Sequence, residues 1–302
     1  IIGKNGVGKT QFITSLPIDI AKKNSDCFIP HVPIFSKVIA ISNSYFDNFE
    51  IPTSTLLFNY IYCGLSKLEK GAREPITRSD FKERLKNACK NIIERERVSS
   101  LKEILSNILE SDTLLNLFNA NEENKESINL EKISSIFDTL SSGQSTLMYI
   151  LCEVVSNIRY DTLILFDEPE THLHPNAISS LMNALYKLLE KFESYCILST
   201  HSPLVVQEIF GRNVYVLERE DDYAFIRKIS SDSFGENLTQ LSEEIFGNKE
   251  VQKYYQEQIK YFVKQDLSYE KIVNLLSTNN IPLSLNISLF IKNIIENKNE
   301  KS

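Results

Sequence analysis

Gly3-Lys4-Asn5-Gly6-Val7-Gly8-Lys9-Thr10 has the composition of a loop that wraps a polyphosphate. Glycines at 3, 6 and 8 let the backbone close around an anion with successive N–H groups pointing inward. The Lys9 ammonium suits the β- and γ-phosphates, and the Thr10 hydroxyl is placed to ligate Mg²⁺. The helix that follows, carrying Gln11 in its first turn, turns its N-terminal dipole toward the same anion. Gly3 to Gln11 are therefore candidate nucleotide-binding residues. Ile1 and Ile2 read as the end of the strand that feeds the loop. The chain starts inside this motif, so a strand or two is expected ahead of it.

Two later segments supply what such a loop needs for hydrolysis. Leu163-Ile164-Leu165-Phe166-Asp167-Glu168 is a short apolar run ending in two acids, the pattern of a buried parallel strand with carboxylates at its C-terminal edge. Asp167 is expected to join Thr10 in holding Mg²⁺, and Glu168, facing the other way, to polarise the attacking water. Tyr195-Cys196-Ile197-Leu198-Ser199-Thr200-His201 reads as a second buried strand with a histidine at its tip. Between the two, Pro175 suits a first helical turn and Ile178, Leu181, Leu185, Leu188 and Leu189 form one apolar stripe, so a βαβ unit is expected. ATP and Mg²⁺ are the implied cofactors.

A third segment, Leu140-Ser141-Ser142-Gly143-Gln144, opens a helix running through Met148, Leu151, Val154 and Val155. A serine N-cap on an amphipathic helix would by itself account for Ser141. The segment also resembles the ABC ATPase signature, with Ser142 where glycine is commonest. That resemblance implies an α/β fold: an ABC-type P-loop NTPase sheet, a helical insert between phosphate loop and signature, and a helical C-terminal tail. It further implies a homodimer, possible in higher oligomers, in which Ser141, Ser142, Gly143 and Gln144 act in trans on the partner's γ-phosphate. His201 then stands as the switch histidine, beside Glu168 in catalysis. The family's Mg²⁺-contacting glutamine should follow the strand Lys37-Val38-Ile39-Ala40-Ile41-Ser42; none is found, which leaves Ser42 or Ser44 to stand in.

Pro169-Glu170-Thr171-His172-Leu173-His174-Pro175 is similar to the soluble ABC-type ATPases of the OLD and RecF groups. His172 and His174 lack a matching Cys or carboxylate cluster and read as dimer-interface residues. With Asn43 to Phe49 and Ser231 to Leu238, the chain resembles most the PtuA family of Septu-type and retron-associated phage-defence ATPases. That implies a separate HNH nuclease as partner and, in retrons, a reverse transcriptase with its DNA product. Two other readings stay open: a RecF-like repair ATPase acting directly on DNA, and an ATP-locked scaffold with little turnover.

The elements that must position these residues fall into four stretches: a first ATPase lobe (1–55), a helical insert (56–138), a second lobe (139–235) and a helical C-terminal region (236–302). In the insert, Phe81, Leu85, Ala88 and Ile92 make one stripe, and Ser100 to Glu103 reads as a capping box opening another helix. Roughly eighty residues, broken by Pro75 and the polar stretch Asn119 to Asn129, are too few for a coiled-coil arm. Asn213 to Leu217 and Ala224 to Lys228 read as a hairpin across the acidic turn Glu218 to Asp222. The resemblance to OLD-type ATPases raises a TOPRIM nuclease here, which in that family needs a glycine after the acid and a later Asp-x-Asp; neither accompanies this turn, so no nuclease centre is expected in this chain.

At 302 residues and 42% hydrophobic content the chain can bury a full α/β core. No apolar run approaches the ~20 residues that span a bilayer, so no membrane partner is expected. Cys27, Cys63, Cys89, Cys152 and Cys196 show no paired spacing, as in a reducing cytoplasm. A net charge of −7 speaks against a uniformly basic DNA-coating surface but leaves room for a local groove.

Overall fold

A computed structural model describes residues 1–43, 49, 59–69, 72–120, 126–221, 223–230, 232–247, 254–277 and 282–299. In chain order the elements are α1 (Lys9–Lys22), β1 (Lys37–Ser42), β2 (Tyr60–Gly64), β3 (Ser66–Glu69), β4 (Ala72–Pro75), α2 (Arg78–Glu94), α3 (Val98–Leu105), α4 (Ser111–Leu117), β5 (Phe118–Ala120), β6 (Glu126–Ile128) and α5 (Ile133–Thr139). Then follow α6 (Ser142–Asn157), β7 (Thr162–Asp167), α7 (Pro175–Lys191), β8 (Tyr195–Ser199), α8 (Pro203–Gln207), β9 (Tyr215–Glu220), β10 (Tyr223–Lys228), α9 (Leu238–Phe246), α10 (Tyr254–Lys264), α11 (Tyr269–Leu276) and α12 (Leu285–Asn299). The first 247 residues form one compact unit and the rest a second.

The first unit is a mixed α/β fold with a parallel sheet and flanking helices, an architecture of the P-loop NTPase kind. Its sheet runs β2-β1-β7-β8, all parallel. Every residue of β1 and β7 is buried, which is why these strands read as unbroken apolar runs rather than alternating ones. The alternation appears instead in which core each residue joins. Ile39, Ile41, Ile164 and Phe166 pack with α2, α3, α6 and α7, whereas Val38, Ala40, Leu163 and Leu165 pack with Ile13 and Ile20 of α1. Ile2 bridges Thr200 on one side and Val216 on the other, as expected of a strand end leading into the phosphate loop. β9 and β10 form the expected hairpin, tied by Arg227 to Glu218 at 2.9 Å.

Two expectations are corrected. The helical reading from Leu56 fails over Tyr60 to Pro75, where Tyr60–Gly64 is a strand paired in register with β1 and β3–β4 is a hairpin ending at Pro75. Tyr-Ile-Tyr-Cys is rich in strand formers, and only pairing with β1 settles so short a run. The capping box is also elsewhere. Ser100 lies buried inside α3, which Arg97 precedes without a side-chain cap, while Thr77 and Asp80 form a reciprocal box at the start of α2. The Leu85, Ala88 and Ile92 stripe is buried as expected, against α6. Ser44, Asp222, Ser231 and most of Asn43 to Phe49 lie outside the described residues, as does the centre of Asn119 to Asn129.

α9 packs on α8 with Leu241 and Ile245 in a cluster that includes Ile2 and Val216, so the first unit extends into the C-terminal stretch. The second unit has its own small core of Ile259, Val263, Ile272 and Ile291 from α10, α11 and α12. Among the described residues no helix is long and apolar enough to cross a membrane.

Candidate active site

The phosphate loop joins Ile2 to α1 with the geometry its glycines permit. Gly6 and Gly8 have φ of 81° and 104°, where a side chain would strain the backbone. Gly3 is glycine for another reason: a Cβ there would lie 2.3 Å from the Leu217 carbonyl oxygen of β9. Lys9 is buried in the first turn of α1, and its Nζ donates to the Gly3 and Lys4 carbonyl oxygens at 2.9 and 3.0 Å. Burial pushes the Lys9 ammonium below its ordinary pKa, and the carboxylates of Glu168, Asp167 and Glu170 oppose that shift. These three acids therefore lie within electrostatic reach of the loop lysine. Lys4, Asn5 and Gln11 are exposed and Val7 half-buried.

Asp167 ends β7 at 2% exposure. Its Oδ2 accepts from Thr10 Oγ1 at 2.9 Å, and its Oδ1 accepts a short bond from Ser199 Oγ, its register partner on β8. The chain then turns out of the strand through Glu168, with φ 48°, and the second acid points away from the first. Glu168 Oε1 lies 3.4 Å from His201 Nδ1, and Thr171 Oγ1 donates to Glu168 Oε2 at 3.4 Å. A hydroxyl and a carboxylate oxygen side by side at the mouth of an anion loop are the hard donors that Mg²⁺ prefers. The chemistry of the donor set thus fits this ion, and the left-handed glycines fit a phosphate drawn close to the backbone.

Three further groups escape a sequence-based reading. Glu170 is 8% exposed, and its Oε1 accepts from Thr200 Oγ1 at 2.6 Å and His201 N at 2.9 Å while lying 3.2 Å from His201 Nδ1. Asn43 is fully buried after β1; its Nδ2 donates to Pro169 O at 3.3 Å and its Oδ1 has no partner among the described residues. It is the side-chain amide nearest in kind to the absent glutamine, one residue beyond Ser42, which sits buried opposite Asp167 in the register. Ser199 is the third. The signals were slight: an extra acid in Asp-Glu-Pro-Glu and an amide just past a strand.

Ser141 to Gln144 stand apart from this cluster. Ser141 N-caps α6 in a reciprocal box, accepting from Gln144 N while Gln144 Oε1 accepts from Ser141 N. Ser141 and Ser142 are exposed, and a Cβ on Gly143 would meet Leu173 at 3.4 Å. No hydrogen bond links these residues to the phosphate loop among the described residues. His172 has φ 65°, and His174 caps α7 through Nδ1, accepting from Asn176 N at 3.3 Å. Among the described residues no three His, Cys, Asp or Glu groups gather to hold a metal ion.

A sequence model described as AAA ATPase domain matches residues 65–206. An AAA-type ATPase domain is present. The matched range holds Asp167, Glu168, Glu170 and His201 together with Ser141 to Gln144, a little under half of the chain. A curated relative, protein ea59 of Escherichia phage lambda, is 26% identical over 332 aligned residues, covering 99% of this chain. The chain spans 62% of that relative's length. The ATPase domain supports a general ATP-binding and hydrolysing role.

Proposed function

We propose that this chain is a Mg²⁺-dependent ATPase subunit that closes its site against a second copy and gates a partner effector. The observation that supports this most directly is the meeting of Thr10 Oγ1 with Asp167 Oδ2, 2.9 Å apart, flanked by Glu168 and His201. Bound Mg²⁺ would polarise the phosphate oxygens as a Lewis acid, held by Thr10 and Asp167. Lys9 exchanges its carbonyl partners for β- and γ-phosphate oxygens, and the Gly3 to Gln11 backbone cradles the chain of phosphates. Glu168 takes a proton from the attacking water, while His201, steadied by Glu170, senses the γ-phosphate.

The exposed N-terminus of α6, with the Ser141 hydroxyl and following N–H groups, has the chemistry of a second anion cap. In this reading Ser141 to Gln144 serve the other copy's phosphate. The resemblance to the PtuA family extends the proposal to a separate HNH nuclease as the gated effector, with a reverse transcriptase and its DNA product as further partners in a retron setting.

Glu168→Gln tests the chemistry: ATP and Mg²⁺ should still bind and hold a dimer, while turnover falls about a hundredfold or more. Full hydrolysis in that variant removes Glu168 from its role. Native mass spectrometry of the chain purified with its genomic neighbours tests the partner, and a bare dimer retaining DNA would count against nuclease gating.

A further inference from the structure

The sheet has a second charged end. The residues of the candidate active site lie at the C-terminal tips of the strands. Lys37 opens β1 at the other end, roughly 16 Å away along a strand of this length. It pairs with Thr162 across the sheet. Thr162 Oγ1 donates to Arg159 O at 2.8 Å and accepts from Arg159 N at 3.0 Å, which brings Arg159 to the same edge. Arg95 and Arg97, from the turn between α2 and α3, reach the last carbonyls of α6. Arg95 donates to Ser156 O, and Arg97 donates to Val155 O at 2.8 Å with its guanidinium 5.3 Å above the Phe192 ring.

Four cations from three separate parts of the chain thus meet at one edge of an acidic protein. None of them makes an ion pair among the described residues. Helix capping explains part of Arg95 and Arg97, since cations favour helix C-termini. It leaves the remaining guanidinium N–H groups unspent. It does not explain Lys37, which is only 4% exposed yet has no hydrogen-bond or ion-pair partner among the described residues. Burial, then repulsion from Arg159 and Arg95, lowers the Lys37 ammonium to about 8, and burial with Arg95 and Arg159 likewise depresses Arg97. Glu153, half-buried on α6, faces Arg84 and is itself raised to about 7 by burial. A lysine without a partner among the described residues, set beside three arginines, is a concentration of uncompensated positive charge, and the ligand chemistry that answers it is an oxyanion with several acceptors.

We propose that Lys37, Arg95, Arg97 and Arg159 form a binding site for a phosphate group at the N-terminal edge of the sheet, separate from the nucleotide site. The phosphate belongs either to a free phosphorylated compound or to a nucleic-acid backbone, and both present the same oxyanion. The test uses a Lys9→Ala chain, in which the phosphate loop has lost its ammonium. Inorganic pyrophosphate is titrated by calorimetry and a labelled short DNA duplex by fluorescence anisotropy at low salt. Each is repeated with Lys37→Gln added or, separately, Arg159→Gln, whose exposed side chain is not needed for folding; thermal melts confirm that both variants are folded. Weakening by about tenfold or more in both variants is the expected result. Loss of pyrophosphate alone assigns the site to free phosphates, and loss of the duplex alone assigns it to nucleic acid. Binding unchanged by either substitution, or no binding of either probe to the Lys9→Ala chain, overturns the proposal.

Discussion

Replacing Glu170 tests whether the His201 tip is held by one buried carboxylate. Its Oε1 accepts two hydrogen bonds, from the Thr200 hydroxyl at 2.6 Å and His201 N at 2.9 Å, and approaches His201 Nδ1 to 3.2 Å, while Oε2 is buried without a partner among the described residues. Glu170→Ala strands these donors and leaves a cavity. With about 1 kcal/mol or more for each buried donor left unpaired plus the loss of packing, the expected cost is about 3 kcal/mol. Glu170→Gln can keep its carbonyl oxygen in the Oε1 position, so the bonds survive at roughly half strength. Its amide nitrogen then falls where Oε2 finds no partner, but a buried charge is removed as well, and the net cost should be about 1 kcal/mol. Urea unfolding measures both. In ATP hydrolysis, Glu170→Ala should lower kcat about tenfold or more with little change in KM, because it frees His201 without touching the phosphate loop, and Glu170→Gln should restore most of the rate. An alanine variant that unfolds and turns over like the parent, or a glutamine variant as damaged as the alanine, would refute this account of the site.

Lys37→Met should stabilise the chain by about 1–3 kcal/mol at neutral pH, since the depressed ammonium converts at about 1.4 kcal/mol per pKa unit. Because the folded value of about 8 lies below the ordinary 10.5, the unfolded chain binds more protons between them. Parent stability should therefore rise from pH 8 toward 10.5, with the full cost present below about 8, and the methionine variant should lose that rise in pH-dependent urea melts. Gly3→Ala, whose Cβ would sit 2.3 Å from the Leu217 carbonyl oxygen, should cost about 1–3 kcal/mol and weaken nucleotide binding, read by thermal melts with and without ATP. Ser141→Ala should cost about 1 kcal/mol through its lost cap. If α6 serves a second copy, its turnover should fall well beyond that loss, and hydrolysis that scales only with stability would leave Ser141 as a cap alone.

Much of the frame is legible in local pattern, because local physics makes it. Unbroken apolar runs mark β1 and β7, since strands covered on both faces have no polar side to show. Pro175 and the leucine stripe mark α7, and the positive φ demanded at Gly6 and Gly8 makes a phosphate loop readable from composition alone. The charged pair Asp167 and Glu168 and the terminal His201 are visible as strand tips for the same reason. What tertiary structure decided is where separate segments meet. The register of β7 with β8 places Ser199 on Asp167, and the turn at Glu168 brings Glu170 under His201; neither follows from spacing along the chain. Tyr60–Gly64 became a strand because β1 offered it an edge. Lys37, Arg95, Arg97 and Arg159 each look like ordinary surface cations in sequence, and only the pairing of β1 with β7 and the reach of the two arginines to the end of α6 bring them to one edge. Local propensity sets what each segment can be, whereas burial and register, which are long-range, set which charges must face one another.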